Sequence, residues 1–195
     1  SQPFHQLSKI TQNARPVWPE YEAAGAIELL SNGRILIAGS ARGSRFTSGA
    51  NYGIVIRLNA DGSRDSTFGD ENGVAWYADG PEWVTDMVVQ SNCRIVVAGS
   101  DGSPFVGDDF ELIAFTADGQ PDLTFGLDGQ VRTDVNNGTR NLPTQMQLLA
   151  NDELLVVGTA DWSSSGTAVV RYLSDGALDT SFATDGVQHF VSDVM

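Results

Sequence analysis

The chain has 195 residues, 41% of them hydrophobic, and carries 25 acidic against 11 basic side chains for a net charge of −14. That length and apolar fraction are enough for a sizeable core, as one domain or one repeat array, and exclude wholesale disorder. The acidity repels phosphate backbones and anionic lipid surfaces, so nucleic acid is not expected as a partner.

A lone Cys93 excludes an intrachain disulfide framework and any multi-cysteine metal site. No run approaches the roughly 18 apolar residues of a membrane helix, so no membrane insertion is expected.

In chain order, residues 1–23 form an N-terminal extension. Its "FHQLSKI" alternates like a strand, and its "RPVWPE" is broken by proline. It is read either as an edge or latch strand or as a loosely packed leader. A pattern then begins that recurs. "LLSNGRILIAGS" from Leu29 matches "VVQSNCRIVVAGS" from Val88 and "LLANDELLVVGT" from Leu148. "DGSRDSTFG" at Asp61 returns as "DGQPDLTFG" at Asp118 and "DGALDTSFA" at Asp175. A period of about 57–60 residues signals a solenoid, propeller or array. The units span residues 24–80, 81–137 and 138–195.

Within each unit the signal is β. Short β-branched runs such as "RILIAG" are bounded by turn residues, and "SNG" makes a tight hairpin connection. In the second unit the spacing predicts strands a to d over residues 84–90, 94–100, 110–116 and 130–135. One four-stranded meander cannot bury both its faces, whereas copies stacked around an axis can. The expected fold is therefore all-β and β-propeller-like, with three four-stranded antiparallel blades per chain. Phe68, Phe125 and Phe182 are expected where blades meet. Gly39, Gly99 and Gly158 are expected where a side chain would obstruct a close backbone approach.

These motifs, from "NGRILIAGS" through "IVIRLNADGSRDSTFG", resemble the delta-60 repeat family of bacterial exported and surface proteins. The resemblance covers residues 24–192. It implies a propeller-like fold and a secreted, periplasmic or cell-surface setting, and it carries no established activity. Cys93 and Asp152 stand where the first unit has Gly33, and Ala183 replaces the glycine after the phenylalanine.

Propellers typically have four to eight blades, so three leave exposed faces and edges. A second copy on a two-fold axis would close a six-bladed ring as a homodimer with matching isologous junctions. A piece of a longer array, or an open structure capped by the N-terminal stretch, are the alternatives.

Strand order puts the a–b and c–d turns on one face of the ring, and the b–c and d–a loops on the other. The first set is nearly constant among the units; the second varies freely, as binding faces of repeat proteins do. Arg42, Arg45, Phe46, Tyr52, Phe105, Asp108, Asp109 and Trp162 fall in the b–c loops, with Trp83 and Arg140 beside the d–a connections. Aromatic rings beside charged groups suit a carbohydrate or small polar ligand, or a protein partner; gap-filling between blades is the plainer reading. On the innermost strand, Glu28, Asp86, Gln145 and Gln147 are expected to line a central channel.

The repeated Asp61, Asp118 and Asp175, with Asp65, Asp122 and Asp179, are read as turn formers rather than calcium ligands. No D-x-D-x-D-G run with a distal Glu is present. His5 and His189 have no partner motif, and Cys93 has no neighbour that would activate it, so no catalytic residue is assigned. The expected role is a noncatalytic binding module without a cofactor. The rivals are a glycan hydrolase or lyase using Asp86 and Glu28, and a structural spacer.

Overall fold

The structure is a computed structural model and describes residues 19–43, 51–69, 73–77, 80–100, 109–135, 141–160 and 166–190. Three separate four-stranded sheets follow one another along the chain, each ordered as a simple meander. The first holds β1 (Pro19–Leu29), β2 (Ile35–Gly43), β3 (Asn51–Leu58) and β4 (Val74–Trp76); the second holds β5 (Trp83–Val89), β6 (Ile95–Ser100), β7 (Phe110–Phe115) and β8 (Gln130–Thr133). The third holds β9 (Asn141–Leu148), β10 (Leu154–Ala160), β11 (Gly166–Tyr172) and β12 (Val187–Phe190). One 3₁₀ turn, Ala150–Asp152, joins β9 to β10. The four strands expected in the second unit are present within one or two residues of their predicted ends.

β1 starts at Pro19, so residues 19–23 of the N-terminal extension belong to the first blade. Their backbone pairs with β2, as Pro19 opposite Gly43 and Ala23 opposite Ser40. Residues 1–18 lie outside the described residues.

Every first strand carries one extra residue at the same place. The register skips between Ala24 and Ala26 in β1 and between Val84 and Asp86 in β5, and Thr144 is the extra residue in β9. Such a bulge pushes a carbonyl toward the neighbouring strand. The residue that faces it is Gly39, Gly99 or Gly158: a Cβ there would fall 2.2 Å from the Ala23 carbonyl oxygen, 2.2 Å from that of Trp83, or 2.1 Å from that of Leu142. The repeated glycine follows from the repeated bulge.

The sheets stack face to face. One core lies between the first and second blades and includes Leu36, Val55, Phe68, Met87, Ile95, Val97, Ile113 and Phe115. The other lies between the second and third and includes Val96, Phe110, Leu112, Phe125, Met146, Val156 and Tyr172. The middle blade is thus covered on both sides, and β6 and β7 are buried at every residue. β10, at the end of the stack, alternates between buried and half-buried, as one covered face requires. Complete burial of Phe68 and Phe125 contributes about 1.5–3 kcal/mol each.

Neighbouring blades meet through a repeated set of contacts. Across the first junction the Gly69 amide donates to the Asp118 carbonyl at 2.8 Å, and across the second the Gly126 amide donates to the Asp175 carbonyl at 2.7 Å. The Phe68 ring lies against the Gly119 turn and the Phe125 ring against the Gly176 turn; a Cβ on either glycine would approach a ring carbon to 2.8 Å. An arginine also crosses each junction: Arg57 Nη1 donates to the Ala117 carbonyl at 2.6 Å, and Arg94 Nη1 to the Ser174 carbonyl at 2.9 Å. On the inner strands the Val84 amide donates to Ser40 Oγ at 2.9 Å. The residue equivalent to Val84 in the third blade is Pro143, which has no N–H.

Candidate functional site

The face carrying the constant c–d turns is closed by internal bonds. Asp65 Oδ1 accepts from the amide of Thr67 at 3.1 Å and from its hydroxyl at 2.6 Å. Asp122 holds Thr124 in the same way, and Asp179 holds Ser181. Asp61 accepts from the Ser63 amide at 2.9 Å, and Asp175 from the Ala177 amide at 3.0 Å. These are Asx turns, as their once-per-repeat placement suggests.

The other oxygen of each deeper aspartate pairs with an arginine. Arg57 Nε lies 2.8 Å from Asp65 Oδ2, Arg94 Nε 2.6 Å from Asp122 Oδ2, and Arg171 Nε 2.6 Å from Asp179 Oδ2. Each guanidinium also caps its blade's phenylalanine: Arg57 over Phe68 at 4.5 Å, Arg94 over Phe125 at 5.5 Å and Arg171 over Phe182 at 4.9 Å. The Thr67 hydroxyl, with Arg57, pulls the Asp65 carboxyl down to about 2. The Ser181 hydroxyl, helped by Arg171, lowers Asp179 in the same direction. An arginine therefore already balances the charge of each of these three carboxylates. Among the described residues no three His, Cys, Asp or Glu side chains gather as a metal site.

These arginines are not legible in the aligned repeats, for a specific reason. Arg57 and Arg171 share one column of the repeat alignment, but the second blade has Ala114 there. Its cation comes from Arg94, at the start of the neighbouring strand. Val96 is the residue opposite Ala114, and Arg94 lies two residues before it. The two positions are thus diagonal neighbours on one face of the sheet.

On the inner strands, Glu28, Gln145 and Gln147 are exposed and Asp86 is half-buried. Asp86 is a structural residue. One of its oxygens accepts from the Met87 amide at 2.8 Å, and the other accepts from the Met146 amide of the third blade at 2.7 Å. Its carboxylate joins two blades where Pro143 has removed the usual donor.

The opposite end of the blades is where the variable loops leave the sheets. Trp83 opens β5 with 55% of its surface exposed, opposite Ser100. Tyr52 sits half-buried near the start of β3, and Asp109 half-buried just before β7. Arg42 ends up on the same side, late in β2 and opposite Asn51. Arg45, Phe46, Phe105, Asp108, Arg140 and Trp162 lie outside the described residues. Cys93 is exposed in its hairpin turn on the constant face.

The stacked four-stranded sheets and their repeated junctions define an all-β, propeller-like protein. A family model described as "Domain of unknown function (DUF5122) beta-propeller" matches residues 30–68 and 149–182. Those segments run from the first turn to the junction phenylalanine in the first and third blades, so the chain is similar to that family over its most regular parts. No curated protein matches the chain. Among the described residues no helix is long and apolar enough to cross a membrane.

Proposed function

We propose that this chain is a noncatalytic binding module of a bacterial exported or surface protein, using the variable-loop face to hold a carbohydrate or small polar ligand. The observation that carries this reading is a contrast between the two faces. On the constant face, Asp65, Asp122 and Asp179 are each bonded to turn hydroxyls and an arginine, which leaves them little capacity for a ligand. On the other face the large Trp83 ring stands exposed beside loops whose sequences differ from blade to blade. A flat ring of this kind stacks on the apolar face of a sugar, while Asp109 and Tyr52 lie at the same end to bond hydroxyls. The same reading takes the three blades as half of a six-bladed ring completed by a second copy.

The enzyme reading has less behind it, because Asp86 is bonded to two backbone amides. Binding is tested on a glycan array with the intact protein and with the Trp83→Ala and Trp162→Ala variants. A signal lost in either variant, with an unchanged β circular-dichroism spectrum, supports a binding face. No signal for the intact protein, or a signal indifferent to both changes, favours a spacer.

A further inference from the structure

The two internal junctions define which groups one blade gives and which the next receives. The giving side supplies a phenylalanine ring, the amide of the residue after it, an arginine Nη1 and, at the first junction, a strand-b hydroxyl. The receiving side supplies a turn glycine, the carbonyls of the aspartate and of the residue before it and, at the first junction, an inner-strand amide. Both halves recur at the ends of the stack, without a counterpart among the described residues.

At the far side of the third blade, Phe182 is only half-buried, whereas Phe68 and Phe125 are fully buried. The Ala183 amide, equivalent to Gly69 and Gly126, has no acceptor among the described residues. Arg171 repeats the bonds of Arg57: its Nε holds Asp179 and its Nη2 reaches Ser181, while Nη1, which Arg57 sends across the junction, meets no acceptor among the described residues. Thr159 stands where Ser40 stands in the first blade, and its Oγ1 is buried with no hydrogen-bond partner among the described residues. Phe190 pairs with Thr167 as Thr133 pairs with Phe110, and is 55% exposed; the Thr133 hydroxyl receives the Tyr172 hydroxyl across the second junction.

At the near side of the first blade, a Cβ on Gly62 would meet nothing within 4 Å, although its equivalents Gly119 and Gly176 are each covered by a phenylalanine ring. Ile27 and Leu29 are 70% and 69% exposed. The counterparts of Ile27, Met87 and Met146, are buried in the two cores, and those of Leu29, Val89 and Leu148, pack against the same cores half-buried. Among the described residues the first blade therefore has no neighbour on the side where each later blade has one.

We infer that the third blade of one copy docks on the first blade of a second copy through the contacts of the internal junctions. Phe182 covers Gly62, the Ala183 amide donates to the Asp61 carbonyl, and Arg171 Nη1 donates to the Ala60 carbonyl. Thr159 Oγ1 receives the Ala24 amide, the equivalent of Val84. The occupant is a second copy because this chain itself carries both halves of the junction, with equivalent groups in the same positions. Two copies give six blades, the one multiple of three within the usual four to eight. The two-fold operation makes both closing junctions identical and leaves no unpaired end. This inference concerns assembly and stands or falls separately from the ligand reading.

The test is the solution mass of the intact chain by size exclusion with light scattering, across a hundredfold range of concentration. It is repeated for Gly62→Asn and Thr159→Val. Asparagine tolerates the left-handed backbone at Gly62, so the turn survives while its side chain enters the space reserved for Phe182. Valine replaces threonine at equal volume and removes the acceptor. The expected results are a mass of twice 20.8 kDa for the intact chain and of one chain for Gly62→Asn. Thr159→Val should weaken dimerisation at least tenfold, and both variants should keep the β circular-dichroism spectrum. A persistent monomer, a larger assembly, or a dimer indifferent to both substitutions overturns the inference. Should Gly62→Asn fail to fold, Thr159→Val decides alone.

Discussion

The Phe68 ring of the first blade rests directly on the Gly119 turn of the second, close enough that a Cβ at residue 119 would lie 2.8 Å from two of its ring carbons. Gly119 also has a positive φ of 80°. Gly119→Ala therefore meets both a backbone strain and a steric clash and should cost about 2–4 kcal/mol. At Gly62, where φ is 82° but the space is open, the same change in dissociated chains should cost only about 1 kcal/mol. Urea denaturation at low protein concentration compares the two.

Cys93 holds a φ of 66° at the turn position that Gly33 occupies in the first blade. Exchanging it for glycine removes the left-handed strain and an exposed thiol together. Cys93→Gly should raise stability by about 0.5–1 kcal/mol, offset in part by the greater freedom of glycine when unfolded. The denaturation midpoint should rise with its slope unchanged.

Asp65 titrates at about 2 in the folded chain, below its ordinary 3.8, because the Thr67 hydroxyl and Arg57 favour the charged form. A depressed carboxyl adds stability that is fully present above the unfolded value and disappears as pH falls through the folded one. Part of the acid sensitivity of folding should therefore fall between pH 3.8 and about 2. Asp65→Asn should remove that part of the profile and lower stability at neutral pH, since Arg57 is then buried without a counter-charge. Denaturation midpoints measured at several pH values for both proteins test this.

Arg94 and Ala114 offer a transplant. Arg94→Ala should destabilise by about 2–3 kcal/mol, because Asp122 loses its cation and the Ser174 carbonyl one of its two donors. Adding Ala114→Arg places a cation in the position that Arg57 and Arg171 occupy in the other blades. The double variant should recover at least half of the loss, read as a coupling in a double-mutant cycle. Failure to recover any of it would mean that the two arginine positions are not interchangeable.

Much of this molecule can be read along the chain, because its repeats report local geometry three times over. Strand limits follow from β-branched runs between turn residues. The Asx turns at Asp65, Asp122 and Asp179 follow from a short side chain two residues before the amide that it accepts from. The glycines at 39, 99 and 158 are legible as close approaches, although the bulge that causes them is visible only in the paired strands.

The junction rings Phe68 and Phe125 are legible as one phenylalanine per repeat, but tertiary structure alone decided which polar groups bridge the blades. Arg94 replaces Arg57 and Arg171 from another strand, and only the folding of strands b and c side by side puts those positions on one face. Asp86 reads from its strand position as a polar channel-lining residue, and only the approach of the third blade brings the Met146 amide to its carboxylate as well. Local rules act over a few residues and so are written in each repeat. A junction is made by groups roughly one whole repeat apart, and they are brought together only when the sheets stack.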